Sequence, residues 1–236
     1  MISARKRDCI SCPSRLESIF DGLNSEHLKD FSAAKITNTY QRGQVMFYEG
    51  NQPTGLFCIS SGKIKLFKNG TDGNEILLRL VKAGEVIGYR SLLTGENYNA
   101  TAEVIEDAVV CFVDKTFLNQ LIERDPRVAL KILKRMGHEM GMSDNRLSDL
   151  MNKTVRQRLC HLLLAMGKTY GIKDAEGTLI DVSLTRAELA SMVGATPETV
   201  IRLLSEFKSS DFVRFRGKRI VVADQSALLR EAEIDV

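Results

Sequence analysis

Residues 184–207 read LTRAELASMVGATPETVIRLLSEF, and few backbones accept that order of residues. Thr185 with Glu188 three positions on is a capping box, in which side chains satisfy the free N–H groups of a helix start. Leu189, Met192 and Val193 give this helix an apolar face, and Gly194 suits the left-handed turn that stops it. Thr196 and Pro197 restart a helix as N-cap and first residue, because proline gives up only an N–H that would be unpaired there. Val200, Leu203 and Leu204 face inward on the second helix, and Ala190 is small where the two would touch. Two short helices joined by a three-residue glycine turn form a helix-turn-helix. A plain αα-hairpin explains the helices equally well, but not the polar residues that open the second one.

In such a motif the first turn of the second helix reaches base edges in the major groove of double-stranded DNA. Glu198, Thr199 and Arg202 occupy its outward face, with Thr196 at its start and Arg186 on the first helix as further candidates. A carboxylate accepts from the cytosine amino group, and an arginine forks onto guanine. Glu198 stands one turn from Arg202 and is expected to hold its guanidinium. Downstream, FVRFRGKRIVV reads as a hairpin turning at Gly217, a basic wing whose Arg214, Arg216, Lys218 and Arg219 suit phosphate contact. Residues 183–223 hold seven Lys/Arg against four Asp/Glu, enough to carry the net charge of +3 of the whole chain.

Upstream the pattern differs. Nine glycines between positions 43 and 95 punctuate short β-rich runs such as LFCI, IKLF and VVCF, which implies an antiparallel barrel, roll or sandwich. Lys68-Asn69-Gly70-Thr71-Asp72-Gly73 is expected to be a hairpin turn. At Asp125-Pro126 a helix of about 25–28 residues begins, roughly 40 Å long. Met136, Met140, Ser143, Leu147 and Leu150 recur along it at steps of 4, 3, 4 and 3, the seam of a coiled coil. An amphipathic helix packed on its own domain is the competing reading. A pairing helix is preferred, because the helix outruns the β module and its other faces are polar. A further helix is expected over residues 155–167, a loop over 171–177 and an extended run over 178–183. The expected layout is an N-terminal cysteine segment at 1–20, a β-roll at 21–124, a dimerisation helix at 125–153 and a winged helix-turn-helix at 154–236.

The chain has 236 residues, 44% hydrophobic and 27% charged, enough for two modest domains. No apolar run approaches the roughly 18–20 residues of a membrane span. The basic start lacks an apolar stretch behind it, so no secretory leader and a cytoplasmic location are expected. No nucleophile–base–orienter set or phosphate loop is present, so no enzyme is expected. Five unevenly spread cysteines argue against structural disulfides. Cys9 and Cys12 form a Cys-x2-Cys pair that suits a redox dithiol, a zinc half-site or no ligand. Cys111 reads alternatively as a core residue, while Cys58 and Cys160 read as buried packing residues.

A β module, a long pairing helix and a winged helix-turn-helix, in that order, resemble the Crp/Fnr superfamily of bacterial transcription regulators. The resemblance is sharpest in ATPETVIRLLSEF and implies an α+β chain with a cyclic-nucleotide-binding-like β-roll. It also implies a homodimer that binds palindromic TGA/TCA-type sites through Glu198 and Arg202 and contacts RNA polymerase. Pro197 stands where cyclic-AMP-type members carry a further base-reading arginine. Those members also carry a glutamate and an arginine triplet for the cyclic phosphate; here Tyr89 and Tyr98-Asn99-Ala100 stand in those places, so cyclic AMP is not the expected ligand. Cys9, Cys12 and Cys111 resemble three of the four thiolates that hold an iron–sulfur cluster in Fnr, with Ser18 at the place of the remaining cysteine. Ser18, Glu17, Asp8 or Asp21 is the conceivable oxygen ligand. The alternative function is a cyclic-nucleotide-sensing module acting through protein partners.

Overall fold

A computed structural model describes residues 8–70 and 73–233. The basic residues 1–7 and Thr71 and Asp72 of the expected turn lie outside the described residues. The chain divides into two compact units: residues up to 72 with Leu77–Gly141, and Gly73–Ile76 with residues from Met142 onward. No helix among the described residues is long and apolar enough to cross a membrane.

In the first unit a 3-10 turn, Pro13–Glu17, precedes α1 (Ser25–Ala34), capped by the Asn24 side chain accepting from His27 N at 2.8 Å. The strands are β1 (Ile36–Tyr40), β2 (Val45–Phe47), β3 (Gly55–Asn69), β4 (Glu75–Lys82), β5 (Val86–Ile87) and, after α2 (Tyr89–Thr94), β6 (Thr101–Asp114). They form one sheet in the order β1-β6-β3-β4, with β2 on β6 and β5 on β3. The sequence runs LFCI and IKLF, read as separate strands, belong to the single strand β3. Gly62 takes φ +88° between them, and a Cβ there would lie 2.5 Å from the Asp107 carbonyl oxygen. The β3–β6 register shifts on both sides of this point, so the long pair bends by bulging rather than breaking.

Alternation along the strands divides the apolar residues between two clusters. Inside the roll lie Phe47, Phe57, Ile59, Ile87, Tyr98, Val104 and Val110. On the outer face Leu56, Val86 and Val113 pack against Phe20, Phe31 of α1 and Leu118 of α3 (Lys115–Arg124), joined by Val128 and Ile132 of α4 (Arg127–Asn152). Burial of each such side chain is worth about 1.5–3 kcal/mol. Met136 packs against this same outer cluster, so the first residue of the expected pairing seam belongs at least partly to the core. Met140, Ser143, Leu147 and Leu150 are exposed.

An ion-pair network also ties α4 to the roll. Glu85 Oε1 accepts from Arg79 Nη2 at 3.2 Å and from Arg135 Nη2, while Arg135 Nε donates to Glu139 at 2.8 Å and Arg79 Nη1 bonds the same carboxylate. Tyr89 lies buried beside Glu139, and burial together with that charge pushes its phenol well above the ordinary range.

The second unit opens with α5 (Val155–Tyr170), started by a Thr154–Gln157 capping box. The expected loop over 171–177 is instead β7 (Gly171–Asp174) and the turn into β8 (Gly177–Ile180). Its residues show no apolar alternation, since Ile172 is exposed, and β7 forms because the edge of β8 offers a ladder partner. Next come α6 (Arg186–Val193), α7 (Pro197–Ser209), β9 (Val213–Arg216), β10 (Arg219–Val222) and α8 (Gln225–Glu231), with sheet order β7-β8-β10-β9. Leu159, Leu163, Leu189, Leu204, Phe207 and Leu228 are fully or nearly fully buried at its centre.

Asp125, at the junction of α3 and α4, is 4% exposed and accepts from Arg127 Nε at 2.7 Å, Arg127 Nη2 at 2.6 Å and the Arg127 backbone N–H at 3.2 Å. The guanidinium above all holds its pKa down at about 2. A depressed carboxyl stabilises the fold above its unfolded value, near 3.9, and loses that contribution as pH falls through the folded one. Asp125→Asn is therefore expected to cost about 1–2 kcal/mol at neutral pH. Thermal unfolding compared with the parent should show the gap closing between about pH 4 and pH 2; a gap that stays constant would contradict the pairing.

Candidate nucleic-acid interface and thiol cavity

The helix-turn-helix is built by local rules. Thr185 Oγ1 accepts from Glu188 N at 3.1 Å, and Glu188 Oε2 accepts from Thr185 N at 2.7 Å. Gly194 adopts φ 62°, ψ 52° and its N–H donates to the Ala190 carbonyl. Two arginines that the sequence did not single out finish α6: Arg158 Nε donates to the Val193 carbonyl at 2.7 Å, and Arg146 Nη2 to that of Met192 at 3.0 Å. Cationic donors satisfy carbonyls that a helix end leaves open. Thr196 then caps α7 by accepting from Thr199 N at 3.3 Å, with Pro197 in the first turn.

On α7, Val200, Leu203, Leu204 and Phe207 are buried, while Glu198, Ile201 and Arg202 are exposed. Thr199 is half-buried, its hydroxyl 3.2 Å from that of Thr196. The expected Glu198–Arg202 pairing is corrected: Arg202 Nη1 donates to Glu206 at 2.7 Å, one turn further on. Arg156 holds that glutamate from the other side at 2.7 Å, which fixes it as the partner. Glu198 thus keeps a free carboxylate, and the Arg202 side chain is 66% exposed.

The wing also differs from its sequence reading. Arg216 is not a free cation, because Asp174 takes its guanidinium at 2.5 and 3.0 Å. Arg214 is paired with Asp211 and Glu176, and Arg219 with Asp181. Two of these four acids, Asp174 and Glu176, come from β7 and its turn, which the sequence did not reveal as a strand and hairpin. Lys218 stands exposed beside Gly217 at the tip. Arg186 is half-buried, its guanidinium 4.8 Å from the Phe215 ring centroid and its Nη1 buried without a hydrogen-bond partner. Stacked on the wing in this way, it offers DNA a half-buried guanidinium rather than an open one.

In the first unit, Cys9, Cys12, Cys58 and Cys111 line one cavity of about 40 Å³ together with Lys35, Ser18, Ser60 and Glu85. Cys58, set aside in the sequence as packing, is the addition. It lies directly opposite Cys111 in the β3–β6 ladder, and alternation turns both away from the aromatic interior. Lys35, 4% exposed, bonds the Cys9 and Cys111 thiols. Burial pulls its pKa down, but those two thiols outweigh burial and leave it raised. Burial first, then the charge of Cys111 and Cys9, pushes the Cys58 thiol well up. As the side chains stand, no three His, Cys, Asp or Glu among the described residues converge closely enough to hold a metal ion. In donor type and number, however, four soft sulfurs fit an iron–sulfur centre. The place of the cyclic-phosphate triplet is filled differently: Tyr98 is buried, stacks on Phe47 with centroids 3.9 Å apart and reaches the Gly55 carbonyl at 3.4 Å.

Residues 37–125 match the model of the cyclic nucleotide-binding domain, and residues 157–231 that of the Crp-like helix-turn-helix domain, together more than half of the chain. A CRP-like cAMP-activated global transcriptional regulator of Mycobacterium tuberculosis is 26% identical over 91% of this chain and 96% of its own length. The fumarate and nitrate reduction regulatory protein of Vibrio cholerae is 25% identical over 82% of this chain and 77% of its own. The structure of FixK2 from Bradyrhizobium japonicum shares the fold, with TM-score 0.74 and 22% identity over 86% of this chain and 99% of that one. With both domain models in family order and relatives spanning almost all of it, the chain belongs to the Crp/Fnr family of transcription regulators.

Proposed function

We propose that the protein is a homodimeric, cytoplasmic regulator that binds a palindromic TGA/TCA-type DNA site in response to a redox, iron–sulfur or small-ligand signal received in its first unit. The observation that carries this reading is the exposure of Glu198 and Arg202 together on the outer face of α7, behind a helix-turn-helix whose inner face is buried. Arg202 forks onto a guanine, and Glu198 accepts from a cytosine amino group. Thr196 and Thr199 face a phosphate at the positive end of α7, and Lys218 holds the neighbouring backbone. In the dimer, Met140, Ser143, Leu147 and Leu150 meet their counterparts and set two α7 helices about 34 Å apart, one turn of DNA. RNA polymerase is the further partner, and the chain is not an enzyme.

The signal acts only insofar as it binds one arrangement of the dimer better than the other. Cys9, Cys12 and Cys111 would hold an iron–sulfur cluster, which when bound supplies an oxygen-labile, redox-active centre. The buried Tyr98 in place of a phosphate-binding arginine favours this over a cyclic nucleotide.

Fluorescence anisotropy with palindromic and scrambled duplexes tests the interface. Arg202→Ala should cost about 1–3 kcal/mol on the palindrome and little on the scrambled duplex, whereas Lys218→Ala should weaken both alike and lower the salt slope by about one. Equal loss on both duplexes for the Arg202 variant would remove the base-reading assignment. For the dimer, Leu147→Asp should shift sedimentation from dimer to monomer at micromolar concentration and reduce palindrome affinity at least about tenfold, since paired half-sites are then bound one at a time. An unchanged sedimentation coefficient would place the pairing surface elsewhere.

A further inference from the structure

We propose that Cys58 is the fourth sulfur ligand of a four-cysteine site, completing with Cys9, Cys12 and Cys111 the place where an iron–sulfur cluster binds. The assignment rests on the iron–sulfur reading above and departs from a three-cysteine set completed by an oxygen. Its basis is the juxtaposition of the four side chains around one cavity. β3 and β6 bring Cys58 and Cys111 side by side on the outer face of the roll. The Cys-x2-Cys segment is laid across them and held there. Cys9 N donates to Ser32 Oγ at 2.9 Å, Arg15 Nε to the Cys9 carbonyl at 3.1 Å, and Ser14 Oγ to the Ser60 carbonyl at 2.7 Å. Cys12 Sγ lies 3.8 Å from Ser60 Oγ, two residues from Cys58 on the same face.

The oxygen candidates are engaged elsewhere. Ser18 lines the cavity, but its hydroxyl donates to the Arg15 carbonyl at 2.7 Å and accepts from Phe20 N at 3.1 Å. Asp8 holds Ser32, Glu17 lies near Lys82, and Asp21 lies near Arg15 and Lys131. Cys58 also differs from a packing cysteine. Cys160 is wholly buried in the core of the second unit, whereas Cys58 keeps part of its surface open where its neighbours Phe57 and Ile59 are buried. All four cysteines of the cavity are free thiols, so each can ligate iron by releasing its proton to solvent. Lys35, whose ammonium now bridges Cys9 and Cys111, moves aside on a long unbranched stem and offsets the negative charge of four bound thiolates.

The test is anaerobic reconstitution of the full chain with ferrous iron and sulfide, comparing the parent, Cys58→Ser and Cys160→Ser. The readouts are iron and sulfide per chain and visible absorption. The parent and Cys160→Ser should load alike, while Cys58→Ser should hold about tenfold less iron or lower still, since loss of even an outer-shell partner costs 10–100-fold. Mapping of alkylated cysteines in the parent, loaded and then bleached by air, guards against a misfolded variant. Cys58 should be protected and released together with Cys9, Cys12 and Cys111. Full iron in a folded Cys58→Ser, or Cys58 alkylating equally in both states while the other three are protected, overturns the assignment and leaves the cluster reading standing. A parent that takes up neither iron nor sulfide overturns both.

Discussion

Fifteen residues of β3 run antiparallel to fourteen of β6, and the register of that ladder decides what nearly every other residue of the first unit can do. Because side chains alternate, a slip of one residue would exchange the two faces of the strand and scatter both apolar clusters. Gly62 makes the register tolerable over this length. Its positive φ and missing Cβ let the chain pass within van der Waals reach of Asp107 and Ala108 and take up the bend in a bulge. One face then closes an aromatic interior of Phe47, Phe57, Phe112 and Tyr98, and the other carries Leu56, Cys58, Cys111 and Val113 toward the amino-terminal segment.

The second unit depends on shorter-range rules, which is why so much of it could be read directly from the residues. Thr185, Glu188, Gly194, Thr196 and Pro197 each act within one helical turn, and the structure realises both caps and the glycine turn. What lay beyond reach was what arrives from a distance in sequence. Glu206 displaces Glu198 as the partner of Arg202 because Arg156, fifty residues away, fixes it. Asp174 and Glu176 temper the wing because a strand without apolar alternation pairs beside it.

Cys58 escaped the sequence for the same reason. Within LFCI it is one apolar residue among four, and its neighbours Phe57 and Ile59 do enter the roll. Only the cross-strand register places it opposite Cys111. Alternation would have warned that Cys111 cannot share the environment of Val110 and Phe112, but not what it faces instead. Met136 illustrates the converse. Its spacing suited an outward seam, yet the roll reaches far enough along α4 to claim it.

Glu85 has a consequence of its own. The residue lines the thiol cavity, and its carboxylate anchors Arg79 and, on α4, Arg135. A guest that displaced this residue on entering would therefore reach the grip of Arg135 within a single amino acid.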